Sequence, residues 1–194
     1  MKNINRQNFI TGTLVGVLLL SVSIIGPAAQ AAELAGAKLP DTLKAGDATL
    51  KLNGLGIRKK SIVKIYVGAL YLVTPSKDAN AIIAGDEAKA IRMHFLRGLT
   101  RQQLVTAFQE GFEANAKDKA GQQAAFEKML ALVSDVNEGE TLTFTYVTAK
   151  GTTLQIDDKD LGVFAGKGFA DAVFSIWLGP KPPTEELKKG MLGS

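Results

Sequence analysis

Few residues in this chain have chemistry to offer, and the most suggestive is Arg58. It sits in Gly54-Leu55-Gly56-Ile57-Arg58-Lys59-Lys60, which reads as a glycine-flanked basic turn running into the apolar stretch Ile62 to Leu72. In that stretch β-branched and aromatic residues dominate and Lys64 is the only charge. Such a run reads as a strand buried on most of both faces. An arginine at its mouth is either a solvated loop charge, the reading chemistry alone favours, or a fixed cation facing apolar space and ready for an anion. The single histidine, His94, lies in Ala90 to Leu96, a second strand candidate, with Arg92 and Leu96 on its own pleat face and Met93 and Phe95 on the other. One histidine makes no metal site, and no serine or aspartate stands at a triad-like spacing. A structural or surface role is therefore favoured for His94, with lining of a ligand cavity as the alternative. With no cysteine in the sequence, disulfides, thiolate catalysis and cysteine-based metal centres are excluded. Neither a cofactor nor a metal is expected.

The elements that must position these residues follow an N-terminal segment of another kind. Met1 to Asn8 carries Lys2 and Arg6 without an acid, and Phe9 to Ile25 is uncharged and largely apolar. Gly26-Pro27 breaks that run and Ala29-Gln30-Ala31 supplies a small-x-small cleavage site, so residues 1–31 read as a signal peptide and the mature chain as 32–194. A retained anchor would need about 20 apolar residues. This run is shorter and diluted by Thr11, Gly12, Thr13, Ser21 and Ser23, and no later run could span a bilayer. The sequence thus points to a periplasmic or secreted protein. Without Lys2 and Arg6 the 23 basic residues become 21 against 19 acidic ones, so the pI of 9.2 overstates the basicity of the mature chain. No basic face interleaved with aromatics is present, which argues against nucleic-acid binding. The 163 remaining residues fit one domain, burying about two-thirds of its unfolded surface.

Within that domain, Ala35 to Ala48 reads as an extended lead-in and Thr49 to Leu52 as a short strand turned by Asn53-Gly54. Pro75 to Asp78 opens a short helix through Ala84, which Gly85 ends. Thr100-Arg101-Gln102-Gln103 is a capping box, and the helix it starts has the buried stripe Leu104, Ala107, Phe108, Gly111, Phe112, where Gly111 implies close approach to another element. Phe126, Met129, Leu130 and Val133 form the stripe of the next helix, more in the manner of core than of a cofactor box. Thr141 to Thr148 alternates threonines with Leu142, Phe144 and Tyr146, as an antiparallel strand buried on one side does. Lys150-Gly151 turns it into Thr152 to Ile156, and Leu161 to Ala165 adds a third strand. Phe169 to Leu178 is helical up to Gly179-Pro180, and Thr184 caps a last helix, Glu185 to Lys189, with acids first and lysines last. Strands, helix, strand, two helices, three strands, two helices spell α+β, with a large antiparallel sheet, helices gathered on one side and a cavity between the layers.

Four motifs in this order carry a family resemblance: Gly54-x-Gly56-x-Arg58; Lys64-Ile65-Tyr66-Val67-Gly68-Ala69-Leu70-Tyr71-Leu72; Leu99-Thr100-x-x-Gln103; and Phe169-Ala170-x-Ala172-Val173-Phe174-x-Ile176-Trp177-Leu178-Gly179 with the Leu187-Lys188 tail. Together they resemble the bacterial chalcone isomerase-like proteins over nearly all of the mature chain. The resemblance implies an open-faced β-sandwich with a ligand cleft between the large sheet and the helical layer. The family it points to includes isomerases that close a chalcone into a flavanone, non-catalytic relatives, and fatty-acid binders.

The resemblance also implies site residues. Arg58 matches the arginine that holds an anionic oxygen, and Tyr66 falls where the isomerases place a threonine at the ketone end. Leu104 falls on their catalytic tyrosine and Gly111 on their asparagine. Ring closure needs donors for a developing enolate oxygen, and neither residue has one. An arginine with a tyrosine hydroxyl is instead what a carboxylate needs. The expected ligand-binding set is Arg58, Tyr66, Leu104, Phe108 and His94, with no catalytic residue. Three readings stay open: an exported, non-catalytic binder of a hydrophobic carboxylate such as a fatty acid; a partner-binding protein whose cleft is filled by its own side chains; and an isomerase-type intramolecular lyase.

Overall fold

The computed structural model describes residues 31–194, so the leader expected over 1–31 lies outside the described residues except for Ala31. The apolar run that dominates the sequence forms strand β5 (Val63–Leu72), buried on both faces from Tyr66 onward. A strand buried on both faces needs a layer on each side, and the chain supplies two different ones. β5 is the third strand of a seven-stranded antiparallel sheet in strict chain order, β3 (Thr42–Ala45), β4 (Ala48–Lys60), β5, β6 (Lys89–Phe95), β7 (Thr141–Val147), β8 (Gly151–Ile156) and β9 (Lys159–Phe164). On one face, Val67, Ala69, Tyr71 and Ala90 pack with Ala37 and Leu39 of a small hairpin, β1 (Ala31–Leu34) and β2 (Ala37–Pro40). Tyr71 fastens it by donating its hydroxyl hydrogen to the Pro40 carbonyl at 2.9 Å. The other face carries the main core and the helices. This is an α+β open-faced β-sandwich with a helical layer on one side of the large sheet.

The lead-in expected over Ala35 to Ala48 is therefore hydrogen-bonded structure. Ala35 and Gly36 both take left-handed backbone angles (φ 53° and 85°), the two-residue turn that matches strand twist. The basic turn expected at Gly54 to Lys60 also needs correcting, as does the turn at Asn53-Gly54. All of these residues belong to β4, which pairs with β5 from Lys51↔Leu72 to Lys60↔Val63, interrupted by bulges at Leu52/Gly54 and Arg58/Lys59. The reversal lies later, at Ser61-Ile62.

The glycines in β4 serve packing. A Cβ on Gly56 would lie 2.3 Å from the carbonyl oxygen of Leu187, and one on Gly54 2.3 Å from that of Gly190. Both carbonyls belong to α5 (Glu185–Met191), and Gly190 in turn would place a Cβ 2.3 Å from the Leu55 oxygen. The last helix thus lies backbone to backbone on β4.

The remaining helices follow their sequence signals closely. α1 (Ala79–Ala84) is capped by Asp78, and α2 (Arg101–Asn115) begins with the complete capping box of Thr100 and Gln103. α3 (Lys119–Leu132) buries Phe126, Met129 and Leu130, while α4 (Lys167–Leu178) is buried on nearly every side and packs against α1, α2 and α3. β7 departs from its expected alternation at Thr143, which is buried and accepts a hydrogen bond from Arg92 Nε at 3.0 Å. No described helix is long and apolar enough to cross a membrane.

Overpacking a well-filled contact costs about 1–3 kcal/mol. Gly56→Ala is therefore expected to lower the melting temperature of the protein by roughly 2–12 °C, at about 2–4 °C per kcal/mol for a domain of this size. An unchanged melting temperature by circular dichroism would show that α5 does not lie this close to β4.

Candidate functional site

Two features of the β4–β5 pairing create the site. Gly56 stands opposite Gly68, both under α5, and the next inward-facing pair along the strands is Arg58 opposite Tyr66. The first pair carries no side chains and is covered by helix; the second carries a guanidinium and a phenol at the edge of that cover. Tyr66 is buried, edge-on to Phe95 with ring centroids 5.9 Å apart. Its hydroxyl oxygen accepts a hydrogen bond from the indole Nε1 of Trp177 at 3.0 Å. Among the described residues the phenolic hydrogen is given to no protein acceptor, so it is available to a ligand. Arg58 is half-buried, donates to the Lys59 carbonyl and makes no ion pair with a described residue.

Above this pair opens a cleft of about 680 Å³ between the sheet and the helices, within the size range of small-molecule sites. Its floor is Ile65, Tyr66 and Met93; α2 gives one wall through Leu104, Ala107, Phe108 and Gly111; Ile176 and Trp177 of α4 give the other. Phe108 and Trp177 meet edge to face at 6.1 Å. The lining also includes the half-buried Arg58 and the exposed cations Lys60, Arg97 and Lys181, against a single carboxylate, Glu110. Lys181 is held there by Asn115, whose Nδ2 donates to the Lys181 carbonyl at 2.9 Å and whose Oδ1 accepts from the Lys181 amide at 2.8 Å. The arrangement is an apolar slot with one buried donor and a cationic rim, suited to an amphiphilic anion.

Burial pushes the Tyr66 hydroxyl up to about 12, more than the Trp177 hydrogen bond and the Arg58 charge pull it down. It therefore remains a neutral donor throughout ordinary conditions. The contrast is Lys89, buried between α1 and the sheet, which donates to the carbonyls of Ile82 (2.7 Å), Ile83 (3.3 Å) and Gly85 (2.6 Å). Burial and, secondarily, Lys167 lower it to about 8. All three of its protons are used, so it is a helix C-cap rather than a site.

Of the residues expected from sequence, Arg58, Tyr66, Leu104 and Phe108 all line this cleft. His94 does not. It pairs with Val67 and Thr141 on β6, where Ile91, Met93 and Phe95 point to the helical side, so the pleat places its side chain on the opposite face of the sheet. The α2 stripe is also divided: Leu104, Phe108 and Phe112 are buried, while Ala107 is exposed to the cleft. Gly111 does mark close approach, since a Cβ there would meet Ile176 Cγ2 at 2.5 Å, and an asparagine side chain would collide with α4. Sequence reasoning missed Trp177 as the partner of Tyr66, and Asn115, Lys181 and Arg97 altogether. These contacts join residues far apart in the chain and leave no local pattern.

Residues 31–193 match the family described as chalcone isomerase-like, and the chain belongs to that family. Among solved structures, it is similar to a fatty-acid binding protein of Arabidopsis thaliana, at 17% identity over 81% of this chain and 92% of that one, with a TM-score of 0.67. No curated protein matches the sequence.

All three tyrosines of the chain are shifted upward: Tyr66 to about 12, Tyr71 by burial, and Tyr146 to about 12 by burial and then by its hydrogen bond to Asp86. A raised folded value adds stability that is complete below about pH 10, the unfolded value, and is lost as pH rises through the folded ones. Tyrosinate absorbance is therefore expected to stay low at pH 10–11 and to rise with loss of near-ultraviolet circular dichroism. Reversible ionisation of one tyrosine near pH 10 in the folded protein would contradict the buried setting.

Proposed function

We propose that this protein is a non-catalytic carrier of a hydrophobic carboxylate of the fatty-acid class, held in the sheet–helix cleft with its head group on Arg58 and Tyr66. The observation that carries this reading is the pairing of an arginine free of any described ion pair with a buried neutral hydroxyl donor. A carboxylate offers each donor an oxygen, and its charge is matched by the guanidinium. Similarity in fold to the Arabidopsis fatty-acid binding protein supports the same class of ligand. Leu104 and Gly111 give no donor for an enolate oxygen, which speaks against ring closure, and about 680 Å³ of open cleft speaks against a cleft filled by its own side chains.

Magnitudes divide the work between tail and head. Burying a dozen methylenes is worth roughly 10 kcal/mol gross at about 0.8 each, set against an association cost of about 4–15 kcal/mol. The acyl chain therefore sets the affinity, and a charge-assisted hydrogen bond adds about 1.5–3 kcal/mol of selectivity. By calorimetry, Arg58→Ala is expected to weaken a fatty acid roughly 10- to 150-fold. Tyr66→Phe is expected to weaken it less, by about 2- to 13-fold, while the methyl ester binds wild type and Arg58→Ala almost equally. Equal losses for acid and ester would reassign Arg58 to shaping the cleft. Chalcone cyclisation at about 1 per second or faster would favour the lyase reading.

We also propose export, with processing after Ala31. The leader-like pattern of residues 1–31 supports it, as does a family match beginning at residue 31. Mass spectrometry of the native protein is expected to find an N-terminus at or near Ala32; an intact chain extracted from membranes would count against it.

A further inference from the structure

We infer that the tip of the β4–β5 hairpin is a docking surface for an anionic lipid bilayer. Ile62, at the reversal, is 94% exposed, and Val63 beside it is 39% exposed. Large apolar side chains at a tight turn leave water only by meeting something else. The charges around them define what that is. Lys59, Lys60 and Lys64 are exposed, none makes an ion pair with a described residue, and no acid occurs anywhere from Ala48 to Lys77. Lys59 stands directly opposite Lys64 across the hairpin. Like charges facing each other on paired strands repel, so this pair is unfavourable in the isolated protein and relieved only by anions outside it.

The same hairpin is one lip of the cleft, through Arg58, Lys60 and Val63. Arg97 and Lys181 are further cations in the same lining, against the one acid Glu110, so the cleft carries a net positive charge. An apolar tip ringed by lysines has the composition of segments that insert shallowly at a headgroup layer, with the apolar group below and the ammonium groups among the phosphates. An acidic protein would satisfy the lysines but gives no reason for the bare isoleucine. Docked this way, the mouth of the cleft faces the lipid, where an amphiphile could pass without crossing water. That last consequence rests on the carboxylate-binding reading; the docking itself does not.

The test is co-sedimentation of the ligand-free mature chain, residues 32–194, with vesicles of phosphatidylcholine alone or mixed with phosphatidylglycerol. Binding is expected to the mixed vesicles only and to weaken with salt. Ile62→Ser is expected to weaken it roughly tenfold. Lys59→Gln with Lys64→Gln is expected to weaken it about 25-fold, each lysine contributing on the order of fivefold. These positions lie outside the cleft lining, and Ile62 is solvent-facing, so the fold should be retained; matching far-ultraviolet circular dichroism checks this. As a second readout, Ile62→Trp should show blue-shifted emission on the mixed vesicles, against the constant background of buried Trp177. Absence of binding, including retention by an acidic protein but not by vesicles, overturns the inference. So does binding that the substitutions leave unchanged, or Ile62→Trp emission that does not shift. Fatty-acid calorimetry on Ile62→Ser separates the two claims, because ligand affinity should be unaltered whatever the vesicle result.

Discussion

The constraint on which the site depends is the contact between the backbone of α5 and the backbone of β4. Gly54 and Gly56 on the strand and Gly190 on the helix present no Cβ to that contact, which lets a seven-residue helix settle directly on the sheet. Its N-terminal approach, Pro182-Pro183, then lies at the cleft. Where the glycines stop, side chains must resume, and the first pair to do so on that face is Arg58 and Tyr66. Covered sheet and open cleft are thus separated by one strand position. The helix excludes water from one side of the pair while Arg58 keeps its access on the other.

That boundary makes the phenol tolerable inside an apolar layer. A buried hydroxyl without a partner costs about 1–3 kcal/mol, and Trp177 removes part of the cost by donating to the oxygen while leaving the hydrogen free. The same indole packs on Phe108 and Phe144 at 6.1 and 5.7 Å, so the donor is fixed by the aromatic core. Gly111 continues the logic on the opposite wall: α2 can approach Ile176 of α4 only because it has no side chain there. The cleft is therefore bounded by glycine contacts on two sides, backbone against backbone at α5 and backbone against the Ile176 side chain at α4.

The sequence made the helices legible because their signals are local. The capping box at Thr100, the stop at Gly85 and the cap at Thr184 each act within one turn, and all appear in the fold. The order of elements and the α+β class followed from them. The Gly54–Lys60 segment misled because glycine has two uses, freedom to turn and absence of volume, and only the partner in space distinguishes them. That partner, α5, is more than 120 residues away in the chain. His94 was misplaced for a related reason: strand alternation separates the two faces correctly without saying which one carries the helices. Trp177 and Asn115 read as ordinary members of helix stripes, since their hydrogen bonds run to Tyr66 and to Lys181 across the fold.

Two basic residues, Lys89 and Arg58, show how a site is told from a scaffold in such a protein. Lys89 is the more deeply buried, and burial lowers its ionisation to about 8, so burial alone would rank it first. Yet its ammonium group has three carbonyl acceptors from the end of α1, and aromatic faces of Tyr146 and Phe174 lie about 5.5 and 5.7 Å away. Nothing is left for a ligand to satisfy. Arg58 has five donors and among described groups gives a hydrogen bond only to the neighbouring Lys59 carbonyl. It faces an open apolar cleft beside a second donor that is also unspent. What distinguishes the candidate site is therefore unsatisfied hydrogen-bonding capacity next to apolar volume, and among the described residues those two properties meet at Arg58 and Tyr66.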